Sequence, residues 1–378
     1  MRYKALTKRF FLISIFIVTA LTCGLFAYDP LHLFHKSWVT KTDRFHNDMR
    51  LQAAGVINNY GFDSIIVGTS MLKGTSSIRA SEKLGGQFVN LSPNGASISE
   101  RKYIIRHALK KKELKRVIIS FDTGMDQNLI LSNKKFPVNR FDFLYDEVLV
   151  DDLRAYWNYK FIGCLAMYST STYCLGNKRE VQRPIDWFTK LAKRNQSISG
   201  IKSWVNNKKG RGASIHRRIQ KHLKSPIGTE DEYQQKLNLT KDIIESSLFS
   251  LVKSNENVSF QVVFPPYSRF LYSLWKNKNP YKYKLYLETI KYVVTEGGDF
   301  KNLTVYSFDD TPYLDDLNNY RDMRHYNVDM NEVMLDSIKE GKNIINVNNL
   351  YSFIELIDEI NGSYKLDNEL NYLLNSYL

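Results

Sequence analysis

The sequence predicts an α/β fold built on a parallel sheet, held outside a single N-terminal membrane helix. Three observations carry that expectation. Five short apolar runs rich in Val and Ile alternate with amphipathic stretches, the pattern of strands buried on both faces and joined by crossover helices. A 19-residue segment without a charge, Phe10 to Tyr28, precedes them all. A long basic stretch then interrupts the alternation between the third and fourth strands.

The N-terminus comes first. Residues 1–9 form a basic tail with Arg2, Lys4, Lys8 and Arg9 and no acid. As a helix, residues 10–28 would span about 28 Å, roughly one hydrocarbon core. The positive-inside rule then places the tail in the cytoplasm and the rest of the chain outside. A cleaved signal peptide is the competing reading, but its apolar region is usually shorter and no clear A-x-A site follows. A lipoprotein signal at Cys23 has a weak lead-in in Leu21-Thr22. The expectation is an uncleaved single-pass anchor, with no second span later in the chain. Residues 29–60 read as a polar and aromatic linker ending in a helical stretch.

The strand candidates are Ser64–Val67, Gln87–Leu91, Arg116–Phe121, Ser259–Phe264 and Leu303–Phe308. Helical patterns lie between and after them: Ser97–Lys111, about Glu230 to Lys253 with Thr229 and Glu232 at capping-box spacing, and Pro280–Thr295 closed by Gly297-Gly298. Asn327–Glu340, ending at Gly341, is a further helix, and residues 346–378 carry two more, Asn349–Ile360 and Asp367–Tyr377. This divides the chain into an α/β domain of residues 61–122 and 228–345 and an inserted segment, 123–227, expected to be mainly helical.

The chain has 378 residues, enough for a substantial core, with ordinary hydrophobic (43%) and charged (24%) fractions and a net charge of +14. Residues 178–224 hold 14 Lys/Arg against two acids, Glu180 and Asp186, so nearly all of that charge is local. Trp187 and Trp204 are interleaved with it. A solvated face is one reading. Contact with an anionic glycan or with lipid headgroups is the other, the aromatics suiting sugar rings. Nucleic acid is not expected outside the cytoplasm. Three cysteines make no disulfide scaffold and lack metal spacing. Cys164 and Cys174 either pair in an oxidising compartment or stay as two buried thiols. Without a phosphate-binding glycine loop or a metal cluster, no cofactor and no metal are expected.

The residues that carry chemistry sit at strand ends. Gly68-Thr69-Ser70 closes the first strand, where the Ser70 hydroxyl would be lifted clear of the sheet edge. In an open α/β sheet, ligands bind beyond the carboxyl ends of the strands. A serine there is idle until a base takes its proton. Of the seven histidines, only His325 combines a carboxylate three residues earlier, Asp322, with a place soon after a predicted strand. Such a turn can set the carboxylate against the imidazole. Asn90-Leu91-Ser92-Pro93-Asn94-Gly95 follows the second strand, and the Gly95 N–H there is a candidate oxyanion donor. A serine cap, an exposed polar loop and a simple βα turn are the plain readings of the three pieces.

Together these blocks resemble the SGNH (GDSL-type) hydrolase superfamily. Gly68-Thr69-Ser70 looks like its nucleophile block, with Thr in place of the usual Asp. Val89 to Gly95 looks like its second block and Asp322-x-x-His325 like its last. The resemblance covers about residues 60–345, without the insertion. Asp29-Pro30, Phe264-Pro265-Pro266-Tyr267-Ser268 and Asn319 to Tyr326 are similar to a membrane-anchored bacterial branch that includes the proteins of lipoteichoic-acid D-alanylation and alginate O-acetylation. The resemblance implies a three-layer, flavodoxin-like, five-stranded parallel sheet at the outer face of a bacterial cytoplasmic membrane. It implies serine acyltransferase or esterase chemistry on envelope glycans, with an acyl-exporting membrane protein as a partner to look for. Ser70 would be the nucleophile, His325 the base, Asp322 its orienting acid, and Gly95 an oxyanion donor.

The third block departs from that pattern. Ser120-Phe121-Asp122-Thr123-Gly124 holds no Asn to complete the oxyanion hole. The expectations divide here: Asp122 binds a substrate hydroxyl, Asn94 or Asn128 replaces the missing donor, or the chain is a weak or non-catalytic relative that binds glycan. Losing one such donor costs roughly 10²–10³ in rate.

Overall fold

The computed structural model describes residues 2–122, 140–185, 199–206 and 211–376. It is a mixed α/β protein with a mostly parallel sheet and one long apolar helix at the N-terminus.

That helix, α1 (Arg2–Tyr28), has a mean hydropathy of 2.4 over its most apolar window, with only 6% of that window buried. By length and composition it can cross a membrane. Its root is built into the body. Asp29 is fully buried and accepts hydrogen bonds from the N–H groups of Leu33, Phe34 and His35 and from the Tyr156 hydroxyl. A reversed chain at residues 29–35 is thus clamped around one carboxylate.

α2 (Met49–Asn59) leads into the sheet. The strands are β1 (Ser64–Val67), β2 (Phe88–Asn90), β3 (Arg116–Ser120), β4 (Ser259–Phe264), β5 (Leu303–Ser307) and β6 (Ile344–Ile345), in the order β2-β1-β3-β4-β5-β6. The first five are parallel. The sixth pairs antiparallel with β5 and corrects the five-strand expectation. Two residues are too short to show a period, so nothing local marked Ile344-Ile345 as a strand. The five anticipated strands match the observed ones to within a residue at each end. β1 to β4 are buried along nearly their whole length because both faces are covered.

The helices follow as α3 (Ser77–Leu84), α4 (Ile98–Lys111), α5 (Tyr159–Ala166), α6 (Arg211–Lys224), α7 (Glu230–Ile244), α8 (Arg269–Lys278), α9 (Pro280–Gly297), α10 (Asp329–Glu340), α11 (Leu350–Ser363) and α12 (Leu366–Asn375). α4 opens with a full capping box between Ser97 and Glu100. At α7 the Thr229 hydroxyl accepts from Glu232 N–H, and a π-turn, Glu245–Phe249, separates α7 from the short helix Ser250–Lys253. α3 packs on α10, while α2, α4, α7 and α9 pack in succession. A buried ion pair, Arg50 to Glu100 at 2.8 Å, ties α2 to α4.

The inserted segment is not a separate body. Tyr156, Trp204, Ile215 and Ile219 share one connected apolar core with the sheet strands and with Ile357 of the tail. The basic stretch does include helix α6. Trp204 belongs to the core: it is fully buried, and its indole N–H donates to the Tyr320 carbonyl at 3.1 Å. Its expected sugar-facing role is therefore corrected. A buried ring braces the chain instead. Asp186 and Trp187 lie outside the described residues. Cys164 and Cys174 form a disulfide, which closes the alternative left open by their spacing.

Candidate active site

The sheet order decides where the site is. The chain runs from β1 outward to β2, then returns past β1 to β3. The crevice between the carboxyl ends of β1 and β3 is the topological switch point, the usual ligand site of an open α/β sheet. Ser70 follows β1 by three residues and Asp122 follows β3 by two.

Close packing makes the turn that carries Ser70. A Cβ on Gly68 would lie 2.6 Å from Leu72 Cβ and 2.9 Å from Ser120 Oγ, so only glycine fits between the neighbouring strand and the turn. The second block then holds that turn in place. Gly68 N–H donates to Ser92 Oγ at 2.8 Å, and Asn90 donates from Nδ2 to the carbonyls of Leu72 and Thr75. Ser70 is left half-buried at the rim.

His325 arrives on a tight hairpin. Tyr320 and Tyr326 form an isolated antiparallel bridge, and Arg321 N–H donates to the His325 carbonyl at 3.0 Å. At its tip Asp322 Oδ1 accepts the N–H groups of Arg324 and His325, each at 3.0 Å. The Ser268 hydroxyl holds the Met323 carbonyl at 2.8 Å, and the Tyr326 hydroxyl donates to the Met71 carbonyl at 2.8 Å, pinning this hairpin to the Ser70 turn. The inserted segment supports it from behind through Trp204, Gly200 N–H and the Ser199 hydroxyl, which bond Tyr320 and Asn327.

These supports bring three side chains into one hydrogen-bonded line. Ser70 Oγ lies 2.9 Å from His325 Nε2, and His325 Nδ1 lies 2.9 Å from both oxygens of Asp322. With Nδ1–H donating to the carboxylate, the Nε2 lone pair faces the serine hydroxyl. Burial pushes the Asp322 carboxyl up, but the His325 imidazole, Arg321 and the Arg324 N–H outweigh it and hold the group far below the ordinary carboxylate range. Asp322 is therefore an anion at neutral pH. A cavity of about 20 Å³, room for one water, lies beside Ser70 and His325 and is also lined by Arg321, Tyr326 and Asn331.

The other anticipated site residues are placed differently. Asp122 is a buried group whose carboxylate is only 1% exposed. It accepts from the Ser120 hydroxyl at 2.6 Å and lies 3.7 Å from Arg101 Nη1. Burial raises its pKa, opposed by Arg101, Ser120, Thr69 and His325. A carboxyl group held beneath the turn is not placed to meet a substrate hydroxyl at the rim, which corrects that expectation. Asn94 is exposed at a turn tip and Gly95 half-buried beside it, with a φ of 61° that suits glycine. Neither lines the cavity at Ser70. Among the described residues, the N–H groups of Ser70 and Gly95 have no hydrogen-bond partner. Thr123, Gly124 and Asn128 lie outside the described residues.

Several positioning residues were not anticipated: Arg101, Ser120, Ser92, Ser268 and Trp204. Ser92, Ser120 and Ser268 each stood in a run singled out in the sequence, and Trp204 among the basic residues, without a positioning role assigned to them; Arg101 carried no signal.

A larger groove opens on the other side of the hairpin. It has a volume of about 560 Å³, within the usual range of ligand sites. Arg218, Lys221, Lys236 and Arg324 line it, opposed by one carboxylate, Glu232, with the stacked rings of Tyr233 and Tyr281 among the walls.

The chain matches no family model and no curated protein.

Proposed function

We propose that this protein is a membrane-anchored, extracytoplasmic serine O-acyltransferase or esterase of SGNH type, acting on acyl groups of cell-envelope polysaccharide. The observation that carries the reading is the Ser70–His325–Asp322 line, with 2.9 Å at each junction.

On this reading each group has a role. His325 Nε2 takes the hydroxyl proton as Ser70 Oγ attacks the acyl carbonyl, forming a tetrahedral oxyanion. The N–H groups of Ser70 and Gly95 would receive that charge. The leaving alcohol departs with the proton from His325, leaving an acyl ester on Ser70. A sugar hydroxyl or water then gives its proton to His325 and attacks the ester, and Ser70 leaves with that proton. Asp322 keeps the imidazole oriented and steadies it while charged.

Other observations support the finer parts of the reading. The order β2-β1-β3-β4-β5 of parallel strands is flavodoxin-like. A Cys164–Cys174 disulfide suits an oxidising compartment, and the basic residues ahead of α1 favour a cytoplasmic N-terminus. The cation-lined groove beside the His325 hairpin suits an anionic glycan rather than a neutral one.

A second reading, a catalytically weak or inactive glycan-binding relative, is favoured by one observation: a buried aspartate, Asp122, stands where the third oxyanion donor is expected. Labelling by a serine-directed phosphonate separates the two. We expect covalent labelling of wild type and none of Ser70→Ala. Equal labelling of both, or none of either, rules out the acyl-transfer reading.

A further inference from the structure

Outside α1, the exposed large apolar side chains are not scattered. Among the described residues, Val148, Leu149, Val150, Trp157, Tyr159, Met167, Tyr168 and Tyr173, with Trp38 from the linker, make up nine of the fifteen. All but Trp38 come from one short stretch, 148–173, and several are exposed to an unusual degree: Val150 78%, Tyr159 89% and Met167 73%. Such a concentration of apolar surface marks an interaction site.

The same stretch packs against the root of α1. A Cβ on Gly24 would lie 3.0 Å from Leu165 of α5. The Tyr28 ring lies 6.4 Å from that of Tyr168, and its hydroxyl donates to the Ser169 carbonyl. The Tyr156 hydroxyl reaches Asp29, the first residue beyond the helix. The Cys164–Cys174 disulfide closes the loop that carries Met167, Tyr168 and Tyr173, so these side chains are presented by a cross-linked turn. Cations border it: Lys160 lies over the Tyr173 ring at 5.0 Å, and Arg154 over Phe143 at 4.6 Å.

We propose that residues 148–173 and Trp38 form a collar that sits in the headgroup layer of the bilayer around the outer end of α1. The inference rests on α1 spanning the membrane. It goes beyond the acyl-transfer reading, because anchoring alone would leave the domain free to tilt. Tyr and Trp side chains, apolar in body and polar at the tip, suit the membrane–water boundary, and flanking Lys and Arg suit lipid phosphates. Continuity with the anchor favours lipid over a protein partner, since anything covering this surface must share the space immediately around a membrane helix. The consequence is a fixed orientation of the catalytic domain, with the candidate active site held at a set height above the bilayer.

The test uses the full chain, alone, in phosphatidylcholine–phosphatidylglycerol vesicles. An environment-sensitive fluorophore is placed at Met167→Cys or Leu149→Cys in a Cys23→Ser background, with Tyr372→Cys on α12 as the reference. Flotation reports the anchor separately. We expect the chain to float, the labels at 149 and 167 to emit blue-shifted light, and lipids brominated near the headgroup to quench them while sparing the label at 372. A chain that does not float overturns the anchor and the collar together. A chain that floats with water-like emission at both collar sites overturns the collar alone. A blue shift without quenching by lipid assigns the surface to protein contact and also overturns it. None of these readouts depends on Ser70.

Discussion

Ser70 and His325 are 255 positions apart in the chain and 2.9 Å apart between Oγ and Nε2. Asp322 completes the line on the same hairpin as His325, so the site closes when one hairpin docks on one strand end. Replacing Asp322 by Asn keeps the shape but reverses the hydrogen bond that selects the productive tautomer. We expect the rate of phosphonate labelling, or of hydrolysis of a simple aryl ester, to fall by roughly 10⁴-fold in Asp322→Asn. A comparable rate in variant and wild type would remove Asp322 from the mechanism.

Gly68 tests the packing under Ser70. A methyl group there would meet Leu72 Cβ at 2.6 Å. Gly68→Ala should lower stability by about 1–3 kcal/mol and slow labelling of Ser70 in the fraction that remains folded. Chemical denaturation and labelling kinetics on the same sample read the two effects apart.

The pair below the turn makes a double-mutant prediction. Arg101 and Asp122 are both buried and 3.7 Å apart. Arg101→Met leaves a buried carboxylate without its cation and should cost about 3–5 kcal/mol, whereas Arg101→Met with Asp122→Leu should recover much of that loss. Additive losses in the double variant would show that the two side chains do not act as a pair.

Asp309 predicts a pH dependence. It is fully buried, and burial raises its carboxyl to about 7, although hydrogen bonding from Tyr272 and the charge of Arg269 favour the anion. The native protein then keeps a proton that the unfolded chain releases near pH 4. Its stability should fall as pH rises from about 4 to about 7 and level off above that. Asp309→Asn has no proton to hold, so its unfolding free energy should gain on that of wild type across this window. Parallel denaturation curves at several pH values measure the difference, and a constant gap would refute the assignment.

The disulfide closes a loop of ten residues' separation beside the root of α1. Removing it by Cys164→Ser with Cys174→Ser should cost about 2–4 kcal/mol. Thermal unfolding with and without reductant should show wild type falling to the level of the double variant.

Much of this architecture was legible in the residues. β1 and β4 begin and end where their apolar runs do, because a strand buried on both faces declares itself over four to six consecutive side chains. α4 is legible from Ser97 and Glu100, whose capping contacts span a single turn. β6 was not, since Ile344-Ile345 becomes a strand only because β5 lies beside it.

The candidate site divides along the same line. Ser70, Asp322 and His325 stand out in the sequence because residue type and strand-end position are local properties. Which way a side chain points is not local. Asp122 stands at a strand end as Ser70 does, yet Arg101 from a neighbouring helix draws it inward while Ser70 stays at the rim. Trp204 looked like a surface aromatic among lysines, and the Tyr320 carbonyl claims it for the core. The sequence by itself determined most of the elements, the long apolar helix and the identities of the candidate site residues. The tertiary structure decided which groups meet, because hydrogen bonds and close packing between residues far apart in the chain form only once the core has closed around them.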